Sequence, residues 1–139
     1  MKRLRIGVIY GGRSNEHEVS LASAASIFDQ LNIEHYEPVP LFIDKAGSWR
    51  IPNQFPTTKS AGTLIEQFRN NDPPEKIISS EAILMPCPTP ETVLTIARDS
   101  SVQGKSVDRA VVRGFSLDVV FPIVHGRYGE DGTLQGLLE

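Results

Sequence analysis

The sequence predicts an α/β fold, a parallel sheet flanked by helices, and three observations carry that expectation. The chain opens on a short run rich in β-branched residues, Leu4-Arg5-Ile6-Gly7-Val8-Ile9-Tyr10, stopped by Gly11 and Gly12. A stretch with helical spacing and a second apolar strand follow, giving a β-α-β order. Near the end, another apolar strand leads into a loop with glycines at 126, 129 and 132. A chain of 139 residues, 40% of them hydrophobic, is long enough to bury one core and too short for two. Residues 1–139 are therefore expected to form one domain.

Leu4–Tyr10 reads as a buried strand because its residues are apolar without alternation. Asn15 then stands three residues before Glu18 in a capping-box-like start, and Leu21, Ala24, Ala25, Phe28 and Leu31 recur at helical spacing. This predicts a helix from Glu16 to Leu31. Glu37 to Ile43 is the second strand, Asp44 to Ser48 a turn, and Trp49 to Ile51 a short return strand. Between Pro52 and Arg113 the pattern weakens, with prolines at 56, 73, 74, 86, 88 and 90 separating one helix candidate, Ala61 to Asn70, from apolar pieces without clear period. Asp118 to Val124 is the last strand, and Leu134, Leu137 and Leu138 begin another helix. That helical pattern reaches Glu139 without a stop signal, so the chain is expected to be the front part of a longer polypeptide.

Composition removes several function classes. A formal charge of −3 and a pI near 5.6 supply no basic excess to neutralise a phosphate backbone, which argues against nucleic acid as a partner. The single cysteine, Cys87, cannot pair within the chain, and no Cys/His spacing matches a zinc site. These features predict a reduced, cytoplasmic protein with no metal bound by this chain. The apolar run Ile6–Tyr10 is too short for a signal peptide or a bilayer span, so no membrane partner is expected.

Ligands of an open parallel sheet sit at the carboxyl ends of its strands, and both distinctive loops leave such ends. They should face one crevice. The first loop, Gly11 to Ser20, lacks the spacing of G-x-G-x-x-G and of G-x-x-x-x-G-K-[ST], and it puts carboxylates where a phosphate would need bare amides. Glu16 and Ser20 lie four apart on one helical face beside the glycines, a carboxylate and a hydroxyl suited to an ammonium group. Glu18 reads as a helix-start residue favoured by the dipole, His17 as a packed or solvated side chain, and Arg13 as loop surface. In the second loop His125 follows the strand directly and is either a satisfied structural histidine or a ligand contact. Asp131 reads as an anchor for the next helix, while Glu130 stays open between cap and ligand contact.

Gly11-Gly12-Arg13-Ser14-Asn15-Glu16-His17-Glu18-Val19-Ser20-Leu21 and the segment Val120 to Gly136, with His125-Gly126-Arg127-Tyr128-Gly129-Glu130-Asp131-Gly132 at its centre, resemble the two N-terminal signatures of D-alanine:D-alanine ligases. The turn from Asp44 to Trp49 is also similar, whereas 52–113 adds nothing diagnostic. The resemblance implies a Rossmann-like, pre-ATP-grasp domain, with two ATP-grasp domains that bind ATP and Mg2+ lying outside this chain. It implies an ATP-dependent ligase that joins two D-alanines for peptidoglycan precursor synthesis, commonly a homodimer through this domain. Transferred residue by residue, Glu16 matches the glutamate that anchors the amino group of the first D-alanine, Ser20 the serine that supports it, and His125 the histidine near the substrates. The chain alone is expected to recognise D-alanine, to bind neither ATP nor metal, and to be inactive. A D-alanine:D-lactate-type ligase shares both signatures, and a free-standing module that binds a small amino acid is the reading from another class.

Overall fold

The computed structural model describes residues 2–52, 79–85, 90–98 and 110–139. The helix candidate Ala61–Asn70 lies outside them. In chain order the described elements are β1 (Leu4–Gly11), α1 (His17–Gln30), β2 (Tyr36–Ile43), β3 (Trp49–Pro52), β4 (Ser79–Leu84), β5 (Val93–Arg98), β6 (Ala110–Phe115), β7 (Val119–Pro122) and α2 (Thr133–Leu138). The strands form one sheet in the order β6-β5-β4-β3-β2-β1-β7.

The expected parallel sheet is present only where β2, β1 and β7 lie side by side. Leu4 to Gly11 pair with Tyr36 to Ile43, and Ile6 to Ile9 pair with Val119 to Pro122, both in parallel. From β2 outward through β6 every pairing is antiparallel, so the sheet is mixed. The β2–β3 connection shows why. Asp44 Oδ1 accepts from the N–H groups of Ala46 (2.9 Å) and Ser48 (2.8 Å), and Asp44 N donates to Ser48 O (3.0 Å). This side-chain-locked turn is too short for the crossover that parallel neighbours need, so the chain must return antiparallel. Among the described residues β3 meets β2 only at Phe42 and Ile43, so Pro38 and Pro40 lie where β3 requires no ladder donor from them.

Two apolar clusters fix the sheet from both sides. Ile6, Val8 and Tyr10 alternate on one face of β1 and pack with Phe42 against Leu21, Ala24 and Phe28 of α1. The helix buries Leu21, Ala24 and Phe28 as one stripe, the spacing anticipated from the sequence. Ile9, Val39, Leu41, Ile43, Ile51, Ala82 and Val93 form the second cluster, which Leu134 of α2 and Val124 close at the end near the loops. The helix ends where Leu31 turns extended (φ −64°, ψ 127°) while still donating to Ile27 O (3.0 Å).

Tyr10 is the large polar residue of the first cluster. Its ring meets Phe28 edge-on at 5.9 Å and Phe42 at 5.7 Å. Burial pushes its phenol pKa up, and its hydroxyl has no hydrogen-bond partner among the described residues. A buried, unpaired hydroxyl costs about 1–3 kcal/mol. Tyr10→Phe keeps the ring packing and deletes that group, so a rise in stability of up to about 1 kcal/mol is expected in urea unfolding. A loss above about 1 kcal/mol would mean that the hydroxyl has a partner.

Candidate functional site

Because β1 and β7 run parallel, their carboxyl ends reach the same edge of the sheet, and the loops that follow meet there. At the end of β1 the chain must turn under Ile43. A Cβ on Gly11 would stand 2.2 Å from Ile43 O at a φ of +90°, so only glycine fits. The next residue, Gly12, donates to Ile43 O (2.8 Å). Ser14 then ties the two loops: its Oγ donates to His125 O (2.6 Å) and accepts from Glu16 N (3.1 Å).

Glu16 occupies the N-cap of α1 without a side-chain cap bond, so the capping box read from Asn15 and Glu18 does not form. The acceptor at this helix start is the Ser14 hydroxyl, two residues before the N-cap. The Glu16 carboxylate is left facing outward, with no hydrogen bond or ion pair to other described residues. Its Oε2 lies over Gly126, whose added Cβ would come within 3.0 Å of it at a φ of +72°.

Ser20 does not reach that carboxylate. It is fully buried, and its hydroxyl donates to Ile123 O and accepts from Gly11 N (2.8 Å), joining the ends of β7 and β1. The helical spacing of Glu16 and Ser20 is real, as Ser20 N bonds to Glu16 O (3.0 Å), but one side chain points to solvent and the other into the sheet. Ser20 thus holds the site from beneath. Its neighbour on the helix, Ser23, is the hydroxyl that contacts the site, 3.2 Å from Nε2 of His125.

His125 projects from the end of β7 toward the first loop. Its Nδ1 lies 3.6 Å from Glu130 Oε1, and its side chain is 34% exposed, open enough to meet a ligand. A ring nitrogen of His125 and one carboxylate oxygen each of Glu16 and Glu130 lie within 4.8 Å of one another. The expected single crevice therefore exists. The other loop residues take structural places. His17 is buried, donates from Nδ1 to Gly12 O (2.7 Å) and meets Phe42 edge-on. Glu18 pairs with Lys45 (3.2 Å) at the surface. Asp131 accepts from Tyr128 N (2.9 Å) and Thr133 N (3.1 Å), anchoring α2 as anticipated.

Arg13, Ser14, Asn15, Glu16, Gly126, Arg127 and Tyr128 enclose a cleft of ≈ 490 Å³. Tyr128 adopts φ 71°, a left-handed conformation rare for a bulky side chain. Two contacts hold it: the guanidinium carbons of Arg13 and Arg127 lie 5.3 and 5.0 Å from its ring centroid. Arg13 is thus more than loop surface. Tyr128, Ser14 and Ser23 had no assigned part in the sequence reading. The seryl signals were legible, Ser14 as a turn hydroxyl two residues before Glu16 and Ser23 one turn beyond Ser20, but nothing in the pattern gives a tyrosine a positive φ.

The fold and the site define an α/β domain in which the loops after two parallel strands line a cleft bearing Arg13, Glu16 and Arg127, with His125 and Glu130 close to Glu16. The chain belongs to the D-ala D-ala ligase N-terminus family, whose model matches residues 5–139. It is 40% identical over 137 residues to a D-alanine--D-alanine ligase of Rhodococcus jostii (strain RHA1), covering 99% of this chain and 33% of that protein. A D-alanine--D-alanine ligase A of Bradyrhizobium diazoefficiens is 36% identical, with 99% and 32% covered. Among solved structures, the D-alanine-D-alanine ligase from Coxiella burnetii superposes with a TM-score of 0.68 at 30% identity, over 99% of this chain and 33% of that one. The VanG D-Ala:D-Ser ligase from Enterococcus faecalis gives 0.64 at 28% identity, over 98% and 33%. The chain thus spans about a third of the length of the curated relatives it matches.

Two outcomes follow from the geometry. Ser20→Ala removes the common partner of the buried Gly11 N–H and the part-buried Ile123 carbonyl, each worth up to about 1–3 kcal/mol when left unpaired. A loss of roughly 2–4 kcal/mol in denaturant unfolding is expected, and a loss under ~0.5 kcal/mol would show that the two strand ends are held by something else. The Asp131 carboxyl is held below the usual aspartate range, chiefly by the Tyr128 N–H and then by Thr133. A depressed folded-state pKa stabilises above the unfolded value, and that contribution disappears as pH falls through the folded value. An NMR titration should therefore find Asp131 ionising below an unfolded-peptide aspartate, with the Tyr128 amide shift following the same midpoint. A midpoint at or above the peptide value would contradict the anchoring bonds.

Proposed function

We propose that this domain recognises the first amino acid in an ATP-dependent ligase that joins two D-alanines into D-alanyl-D-alanine for peptidoglycan precursor synthesis. The observation that carries this reading is the outward-facing Glu16 carboxylate, beside His125 at the shared carboxyl edge of β1 and β7. Glu16 receives the ammonium of D-alanine, His125 stands against the same substrate, and Ser20 keeps the two strand ends in register beneath them. Catalysis by this domain is positional: fixing the amine fixes where the carboxylate of the same molecule meets its phosphoryl donor.

In this reading ATP and Mg2+ are held outside this domain, by the ATP-grasp domains that the family resemblance implies. When bound, the nucleotide supplies the phosphoryl group that activates a carboxylate for attack by an amine. No helix among the described residues is long and apolar enough to cross a membrane, which agrees with a cytoplasmic enzyme. The family resemblance further supports a homodimer. The acceptor is left open by this domain, since a solved D-Ala:D-Ser ligase shares its fold over 98% of this chain; a D-lactate acceptor is compatible for the same reason.

The test is Glu16→Gln in the ligase polypeptide that begins with this domain. It preserves shape and hydrogen-bonding capacity while removing the charge that faces the ammonium. Loss of one partner of a desolvated charge pair costs roughly 2–5 kcal/mol, so the apparent constant for the first D-alanine should rise about tenfold or more. The ATP constant should stay within about twofold, because the ammonium is remote from the phosphoryl group. Glu18→Gln is the control, expected to cost a few tenths of a kcal/mol to about 1 in stability with near-normal kinetics. Unchanged D-alanine dependence in Glu16→Gln, or its loss in Glu18→Gln alone, places the ammonium elsewhere.

A further inference from the structure

Glu16, His125 and Glu130 have a property that ammonium binding does not require. They offer one imidazole nitrogen and two carboxylate oxygens, all within 4.8 Å of one another, from three points of the backbone: the N-cap of α1, the third residue after β7, and the loop before α2. Among the described residues the Glu16 carboxylate has no partner, and the Glu130 carboxylate has only the 3.6 Å contact to His125. Both retain unspent acceptor capacity. The histidine is already oriented as a ligand. Its Nε2 is 3.2 Å from Ser23 Oγ, so in the tautomer that donates Nε2–H to that hydroxyl the Nδ1 lone pair is free on the side of Glu130, 3.6 Å away. The serine sits outside the ligand set, in the place from which metal-binding histidines are commonly held.

We propose that Glu16, His125 and Glu130 form a binding site for a divalent zinc-type cation, which on occupying it excludes the ammonium group of an amino acid. The mixed nitrogen and oxygen donors select the ion class. An imidazole with two carboxylates suits zinc, whereas magnesium demands an octahedral, largely aqueous oxygen shell. Tetrahedral zinc with bonds of about 2.0–2.2 Å places its ligands roughly 3.4 Å apart. His125 and Glu130 are near that separation already, and Glu16, an exposed side chain over the small Gly126, closes the remainder by rotation. Three protein ligands leave the fourth position open to the cleft. The sequence reading excluded a metal because no Cys/His spacing was present; here the ligands are brought together by the pairing of β1 with β7, which no local spacing records.

The exclusion of the ammonium rests on the Proposed function; the metal site itself does not, and the experiment separates them. Zn2+ is titrated into the protein and followed by long-range 15N–1H spectra of the histidine rings. Nδ1 of His125 should move to the metal-bound range while its Nε2–H is retained, with His17 and His35 unchanged. Co2+ in place of Zn2+ should give the visible absorption of a four- or five-coordinate ion. Glu130→Gln and Glu16→Gln should each weaken Zn2+ binding about tenfold or more, and His125→Ala should abolish it. The two glutamine variants carry the test if the alanine variant does not fold. Initial rates of the ligase at metal-buffered free Zn2+ should then show competition against D-alanine. Metal-induced changes at His17 or His35 instead of His125, or Zn2+ affinity indifferent to Glu130→Gln, overturns the site. Binding at His125 without competition against D-alanine overturns the exclusion and moves the ammonium away from Glu16.

Discussion

The Ser20 hydroxyl is the contact on which the arrangement depends. It is buried beneath the loops, and it bonds at once to the last residue of β1 and to the backbone just beyond β7. Those strands are adjacent and parallel, and the pairing alone would bring their ends to one edge. The hydroxyl adds a fixed separation. Ile123 N also donates to Ile9 O (2.7 Å), so the backbone leaving β7 is bound to β1 from two directions before it reaches His125. Everything above this clasp inherits its geometry: Ser14 crosses to His125 O, Glu16 lies over Gly126, and Ser23 meets the His125 ring. A polar residue on the inner face of an otherwise apolar helix is costly unless it is paired, and Ser20 is paired with two groups that would themselves be unpaired without it.

Above the clasp, opposite charges are sorted rather than mixed. Glu16 and Glu130 gather at His125, while Arg13 and Arg127 are drawn onto the ring of Tyr128. The left-handed backbone of Tyr128 costs energy, offset by the bond from its N–H to Asp131 and by the two guanidinium contacts. With the guanidiniums on the aromatic ring, the Glu16 carboxylate has no ion-pair partner among the described residues, although all three side chains border one cleft. Lys45, the nearby cation of the β2–β3 turn, is likewise engaged, by Glu18.

The sequence resolved those parts of the fold in which a side-chain period survives. Leu4 to Tyr10, the stripe Leu21–Ala24–Phe28, the strand before Ile43 and the Asp44 turn were each legible, because local burial or local hydrogen bonding dictates their residue types. β4, β5 and β6 were not: β4 and β5 lie beside prolines, and a six-residue strand such as Val93–Arg98 carries too few alternations to distinguish it from other apolar pieces. Of the antiparallel half of the sheet, only the β2–β3 hairpin was legible. At the site, Glu16 and His125 were legible from their places at strand ends, whereas the partner of Ser20 was misread because helical spacing gives the face of a residue and not the depth to which its side chain reaches.

What the sequence by itself determined was local: which stretches become strands, where glycine must stand, and which residues follow the ends of β1 and β7. Family membership was also contained in it, since two signature loops in order are a property of the chain and not of its coordinates. Tertiary structure decided what meets what. Whether a carboxylate at position 16 faces solvent, whether a serine at position 20 serves the ligand or the sheet, and whether an imidazole and two carboxylates converge all depend on the pairing of β1 with β7. That pairing joins segments separated by most of the chain, and its register is set by the burial of Ile6, Val8 and Ile9 against both layers. Non-local packing leaves no period in a sequence, so only the folded chain records it.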